Sequence, residues 1–306
     1  MNDPSTDRVS SPSSTGGEGI FFEQHVATYW LAQLLVRSIP PILTDAGVVE
    51  VHFQTEHLGF NTDDFLIVCA RTNAANARLA GQVKRSFTIS AADDECKKAI
   101  SDFWKDFKKA DPFNPQHDRF VLVTLRGTNT LLENFVGLLD CALGAADGEE
   151  FQRRLSLDGF ISKKSVHQCN ELCKIVSELE GERVLAKDLW PFLRVLHVLS
   201  LDLHTSTRQT EAQIKTLLSL KSTDPNPVAS ATTAWDALLA FAGEAGPAAR
   251  SLKRADLPAA LVEAYGEVGA HEHRVLMALK NHTEFVLQKI RMTIGPAFHL
   301  RRAGIV

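Results

Sequence analysis

The chain has 306 residues, 44% of them apolar and 23% charged, with a formal net charge of −4. Its length predicts about two domains, its composition is that of a soluble globular protein, and no apolar run approaches the roughly 20 residues of a membrane helix. A net negative charge does not advertise a nucleic-acid binder, and five cysteines behind an N-terminus with neither a basic nor an apolar signal region predict reduced thiols and a cytoplasmic setting.

Residues 1–17 are rich in Ser, Pro and Gly and are expected to be a disordered tail. In "FFEQHVATYWLAQLLVRSI", Phe22, Val26, Trp30 and Leu34 recur at helical spacing, and Pro40–Pro41 end the helix. Strands are predicted at "VVEVHF" from Val48, "DFLIVCA" from Asp64 and "LAGQVKRSF" from Leu79, the last two joined by the polar "RTNAANAR". "AADDECKKAISDFWKDFKKA" reads as a helix whose first-turn acids and last-turn lysines complement the macrodipole. A strand, "DRFVLVTL" from Asp118, and a helix, "NTLLENFVGLLDCAL", follow. The order αβββαβα predicts a mixed sheet with helices packed on it. From Glu149 onward every segment reads as helical, "LAKDLWPFLRVLHVLSLDLH" included, with breaks at "STDPNP" and "EAGP". An all-α domain is therefore expected over 149–290. Residues 291–306, with Gly295–Pro296, are expected to be a connector in a protein that continues.

One cluster of residue types carries chemistry. Asp63 and Asp64 stand before an apolar strand, and Gln82 and Lys84 lie on the next one. Side chains alternate along a strand, so Gln82 and Lys84 should share one face and Val83 the other. If the two strands pair, Asp64 can lie beside Gln82 and Lys84 at one end of the sheet. A carboxylate and a carboxamide oxygen are hard ligands suited to Mg²⁺ or Mn²⁺. Such an ion acidifies water and neutralises charge on a phosphate, while a neighbouring lysine orients and stabilises the attack. Glu23 shares a helix face with Ala27, Trp30 and Leu34, and an acid on a packed face needs a partner, which a metal would supply. A one-residue slip would put Asp63 in place of Asp64. Arg85, Lys97 and Lys98, in a stretch with a small local excess of positive charge, are candidate DNA contacts, although a solvated helix face is the plainer reading. His167, Cys169 and Cys173 lack the second pair a structural zinc site needs, so free buried thiols are expected.

Asp63–Asp64 followed by Gln82-Val83-Lys84, behind a glutamate-bearing helix, resembles the PD-(D/E)xK nuclease superfamily in its QxK variant. Gln82 stands where that pattern usually has an acid. "GEGIFFEQHVATYWLAQLL", "NTDDFLIV", "GQVKRS" and "AISDFWKDFKK" look like the nuclease effector domain of bacterial anti-phage systems, found in CBASS endonucleases and at the N-terminus of Avs proteins, STAND NTPases that sense phage proteins. The resemblance covers roughly residues 17–160. It implies a restriction-endonuclease-like α/β domain over 18–148, a mixed β-sheet flanked by helices, followed by the all-α domain. It also implies metal-dependent cleavage of double-stranded DNA with little sequence preference. Activation would come through a homo-oligomer, with the phage-protein trigger sensed outside this chain, which holds no GxxxxGK[ST] loop. Residue by residue, Asp64 matches the metal-binding aspartate, Gln82 the second ligand and Lys84 the catalytic lysine. Glu23 matches the helix-borne acid, with Glu18 as the alternative, and Glu56 is a further acid for the metal shell. The rival readings are a catalytically inactive adaptor on the same fold and a free-standing restriction enzyme for modified DNA.

Overall fold

The computed structural model describes residues 17–109, 111–125, 130–203 and 207–266. The first helix, α1, spans Gly17–Val36. Phe22, Val26, Trp30 and Leu34 are all buried, as their spacing predicts. Three strands follow as an antiparallel meander: β1 (Ala46–Phe53), β2 (Phe65–Arg71) and β3 (Ala77–Lys84). Phe65 faces Phe53 on one side and Gly81 on the other. Helix α2 (Asp94–Lys108), N-capped by Asp93 accepting from Cys96 N, then crosses to β4 (Arg119–Leu125), which runs parallel to β3 with Gln82 opposite Leu122.

Four helices come next: α3 (Thr130–Gly144), α4 (Gly148–Ser156), α5 (Lys163–Glu180) and α6 (Ala186–Leu193). The chain then returns to the sheet. Strand β5 (Leu196–Leu201) lies parallel to β4, and after α7 (Gln209–Lys221) and α8 (Pro227–Ala245) the short β6 (Ser251–Lys253) pairs with β1, ahead of α9 (Ala259–Ala264). The six strands run β5-β4-β3-β2-β1-β6. The fold is thus a mixed sheet flanked by helices.

The expectation of an all-helical stretch from 149 is corrected here. "RVLHVLSL" is a short apolar run that fits either a helix or a buried strand. The apolar Leu189, Phe192 and Leu193 just before it made the two read as one helix. The open edge of β4 decides the matter: Phe120 N donates to Val195 O at 2.8 Å, and the ladder continues to Leu125–Leu201. With β5 and β6 closing opposite edges of the sheet, one compact unit reaches Ala264, and the boundary expected at 148/149 does not divide it. Gly17 already belongs to α1. Residues 1–16 of the expected tail and the connector at 291–306 lie outside the described residues.

Helices cover both faces of the sheet. On one face Leu66, Ala80, Phe120 and Leu122 join Phe103 of α2, Phe135 of α3 and Phe192 of α6 in a single core. On the other, α1 packs on the sheet and is itself covered by α7 and α8, so from Val26 to Val36 it is buried all round. Trp30 and Phe65 meet there, ring centroids 5.5 Å apart, each burial contributing about 2–3 kcal/mol. Gly81 makes this packing possible. A Cβ there would stand 2.0 Å from Phe65 Cζ, so only glycine lets the ring cross the neighbouring strand.

Candidate functional site

The loop into β2 is fastened from two sides. Asp106 of α2, fully buried, accepts from Asn61 N at 2.8 Å, Asn61 Nδ2 at 2.6 Å and Thr62 N at 2.7 Å. From the end of β1, Gln54 N donates to Asp64 O and Thr55 N to Asp63 O. Asp64 therefore stands at a fixed point just before the last ladder pair, Phe65 with Gly81. From there its Oδ2 accepts the N–H of Val83 at 2.6 Å.

Asp64 lines a cavity of about 370 Å³ together with Glu23 and Trp30 of α1, Phe53 of β1, Val83 of β3 and Gly243 of α8. Burial pushes the Asp64 carboxyl up to about 6; the Val83 N–H opposes the rise, the charges of Asp63 and Glu23 add to it, and Lys84 pulls against it. Glu23 is also raised, by desolvation around its carboxyl, with Lys84 again opposing. Glu23 and Asp64 thus share one cavity at this end of the sheet; Lys84, two residues after Gln82 on β3, does not line it.

Three expectations are modified. Ala27, Trp30 and Leu34 are buried, but Glu23 is exposed and lines the cavity, while its neighbour Phe22 turns into the core. Asp63 and Asp64 diverge, as successive residues of an extended chain do. Asp63 turns toward α2, 3.6 Å from Lys98 Nζ, and only Asp64 lines the cavity. Gln82 and Val83 take opposite faces as expected, but it is Val83 that faces the cavity, and the Gln82 amide is directed to Asp102 of α2, Nε2 to Oδ2 at a long 3.5 Å. Its Oε1 is buried without a hydrogen-bond partner among the described residues. The expected DNA contacts also part company. Lys97 pairs with Glu178 of α5 at 3.5 Å, Lys98 with Asp102 at 3.0 Å, and Arg85 is exposed just beyond β3.

Among the described residues no group of three or more His, Cys, Asp or Glu side chains converges on a point. The carboxylate donors that share the cavity are Asp64 and Glu23; the orphaned oxygen of Gln82 lies on the other face of the sheet, beside α2. Both carboxylates are hard oxygen donors, and so few of them fit a Mg²⁺ ion that keeps most of its waters. All five cysteines are free thiols, Cys169 and Cys173 on α5 included.

One wall of the cavity was invisible in the sequence. Ala242, Gly243, Gly246 and Pro247, at the end of α8, close it, and Gln24 Nε2 of α1 donates to Leu239 O at 2.8 Å across 215 residues of chain. "EAGP" reads only as a helix end, and nothing local says which helix it meets.

No protein-family model and no curated protein matches the chain. Among solved structures it is similar to the Moraxella osloensis Cap4 SAVED/CARF-domain containing receptor, with a TM-score of 0.41 and 15% identity over 75% of this chain and 44% of that one. It is also similar to the Acinetobacter baumannii Cap4 SAVED/CARF-domain containing receptor solved with the cyclic trinucleotide 3'3'3'-cAAA, with a TM-score of 0.38 and 12% identity over 79% and 43%. The chain spans less than half the length of these structures, and at such scores the likeness decides nothing about activity. No helix among the described residues is long and apolar enough to cross a membrane.

Proposed function

We propose that the chain carries a metal-dependent endodeoxyribonuclease centre and serves as the effector of an anti-phage defence protein. The reading rests on the residue pattern that resembles QxK nucleases. One observation carries it: Asp64, at the start of β2, and Glu23 of α1 line one cavity beside the end of β3. Asp64 and Glu23 would hold Mg²⁺ or Mn²⁺, with waters completing the shell in place of Gln82, whose amide lies on the other face of the sheet. Bound there, the ion would supply the Lewis acid for in-line attack of water on a phosphodiester. The Val83 N–H orients the Asp64 carboxylate, and the sheet holds both residues rigid. Lys84 places an ammonium charge where negative charge grows on the phosphate oxygens. The substrate in this reading is double-stranded DNA with little sequence preference. The active state is a homo-oligomer in the cytoplasm, and the phage protein is sensed by a region outside this chain.

Plasmid nicking with Mg²⁺ or Mn²⁺ tests it on the wild type, Asp64→Ala and Lys84→Ala, at concentrations that drive self-association. Both variants should lose at least about 100-fold in rate, in line with removing a charged group that acts in the transition state. Equal cleavage by all three would sink the assignment. A second reading, a nuclease-fold adaptor without catalysis, is favoured by the Gln82 amide directed at Asp102 instead of the cavity. It requires that a self-associated wild type cleaves nothing with either ion.

A further inference from the structure

We infer that Ser251 is a base-activated nucleophile that takes acyl groups from small carboxylic esters, with His52 as its general base. Ser251 of β6 lies opposite His52 of β1 in the ladder, and its hydroxyl stands 2.7 Å from His52 Nδ1, across 199 residues of chain. Glu50, two residues before His52 on the same face of β1, brings Oε1 to 3.5 Å from the other ring nitrogen. Those partners assign the tautomer: Nε2–H faces the carboxylate, and the bare Nδ1 accepts the serine proton. A nucleophile, a base and an orienting acid in that sequence of contacts are the signature of an activated serine, whatever their order in the chain. The longer Glu50 contact is ordinary for such a site without substrate. Burial fits the roles. His52 is 8% exposed, and desolvation holds its pKa below the usual histidine range, so the ring is a neutral base at pH 7. Ser251 is exposed, so an ester reaches its oxygen without any rearrangement.

The ladder also supplies donors for an oxyanion. Phe53 N donates to Arg250 O at 3.1 Å, which makes His52 and Ser251 a non-hydrogen-bonded pair. In such a pair the side chains approach closely, and Ser251 turns its own N–H away from β1. Strand β6 is the outermost at that side of the sheet among the described residues, so this N–H points off the edge. Lys253, the next residue on that face, lies opposite Glu50, and its positive charge is felt at His52. In the reaction Ser251 Oγ bonds to the ester carbonyl carbon and its proton passes to His52 Nδ1. The Ser251 N–H and the Lys253 ammonium stabilise the tetrahedral oxyanion. Collapse breaks the bond from the carbonyl carbon to the alkoxy oxygen, and the alcohol leaves with the proton from His52. Water then repeats the two steps, releasing the carboxylic acid and restoring the hydroxyl. None of these residues belongs to the proposed nuclease centre, and the inference goes beyond that reading.

A fluorophosphonate probe tests this on the full chain, with tandem mass spectrometry to find the modified residue. Wild type should carry the phosphonyl group on Ser251. His52→Gln should label at least about 100-fold more slowly, the scale of lost general-base catalysis. Ser251→Ala should lose both the label and the burst of nitrophenol from para-nitrophenyl acetate. Glu50→Gln tests positioning. The groups facing His52 are Glu50 of β1, His57 of the turn Thr55–Leu58 and Lys253 of β6. Without the Glu50 charge the ring holds its proton less firmly, so the labelling rate should reach half its plateau at a lower pH. This variant also serves if His52→Gln does not fold. Label only on other residues, no label at all, a Ser251 label at a rate that the folded variants leave unchanged, or a burst that survives Ser251→Ala overturns the proposal.

Discussion

Asp64 Oδ2 accepts the backbone N–H of Val83 at 2.6 Å, so one carboxylate both ties β2 to β3 and lines the cavity. Asparagine keeps an acceptor oxygen there and loses the charge. The folded carboxyl titrates near 6 against an ordinary 3.8. Between those values the folded state binds more protons than the unfolded state, so stability falls as pH rises through the window and levels off above it. Two pH units correspond to about 3 kcal/mol. Urea denaturation from pH 3.5 to 7.5 should show Asp64→Asn gaining on the wild type by about that amount. A difference that does not change with pH would contradict it.

A proton and a divalent cation compete for Asp64. Mg²⁺ should therefore raise the melting temperature more at pH 7.5 than at pH 5, and Asp64→Asn should lose most of the response. Differential scanning fluorimetry with and without EDTA reads this directly. A shift of equal size in both proteins would place the cation elsewhere.

Asp106 is fully buried and accepts three N–H groups from Asn61 and Thr62, the residues that lead into Asp63 and Asp64. Asp106→Ala leaves those donors unpaired and should cost about 3 kcal/mol. On the nuclease reading it should also slow nicking at temperatures where the variant remains folded, because Asp64 loses its anchor. Unchanged stability in urea would mean that water replaces the carboxylate.

Gly81→Ala drives a methyl into the Phe65 ring and should destabilise by about 3 kcal/mol or more. The double variant Gly81→Ala/Phe65→Leu should recover part of that loss, since the two side chains share one space. Additive losses in chemical denaturation would show that the clash is relieved by backbone movement.

His197 of β5 has its Nε2 buried without a partner among the described residues, and burial, with Arg119 nearby, pushes its pKa down to about 4. Unfolded, it titrates near 6.5. The unfolded state thus takes up a proton first, and stability is lost as pH falls from 6.5 toward 4, by about 3 kcal/mol. His197→Leu should lose less over the same window. Parallel pH profiles for the two proteins would exclude His197 as the source.

The amino-acid sequence by itself determined the local elements of the first half and the residue types of the candidate site. Periodicity marks α1 through Phe22, Val26 and Trp30, the β2 run is nearly all apolar and of strand length, and alternation along β3 sends Gln82 and Val83 to opposite faces. Those are short-range consequences of backbone geometry. Only the tertiary structure decided which of Asp63 and Asp64 reaches the cavity, that Glu23 stands at a rim, that the Gln82 amide turns to Asp102, and that Leu196–Leu201 is a strand. Each depends on a partner far along the chain: Lys98 and Asp102 on α2, the open edge of β4, the end of α8 against α1. An ambiguous apolar run or a polar side chain adopts the state its neighbours make least costly, and those neighbours exist only once the chain has folded.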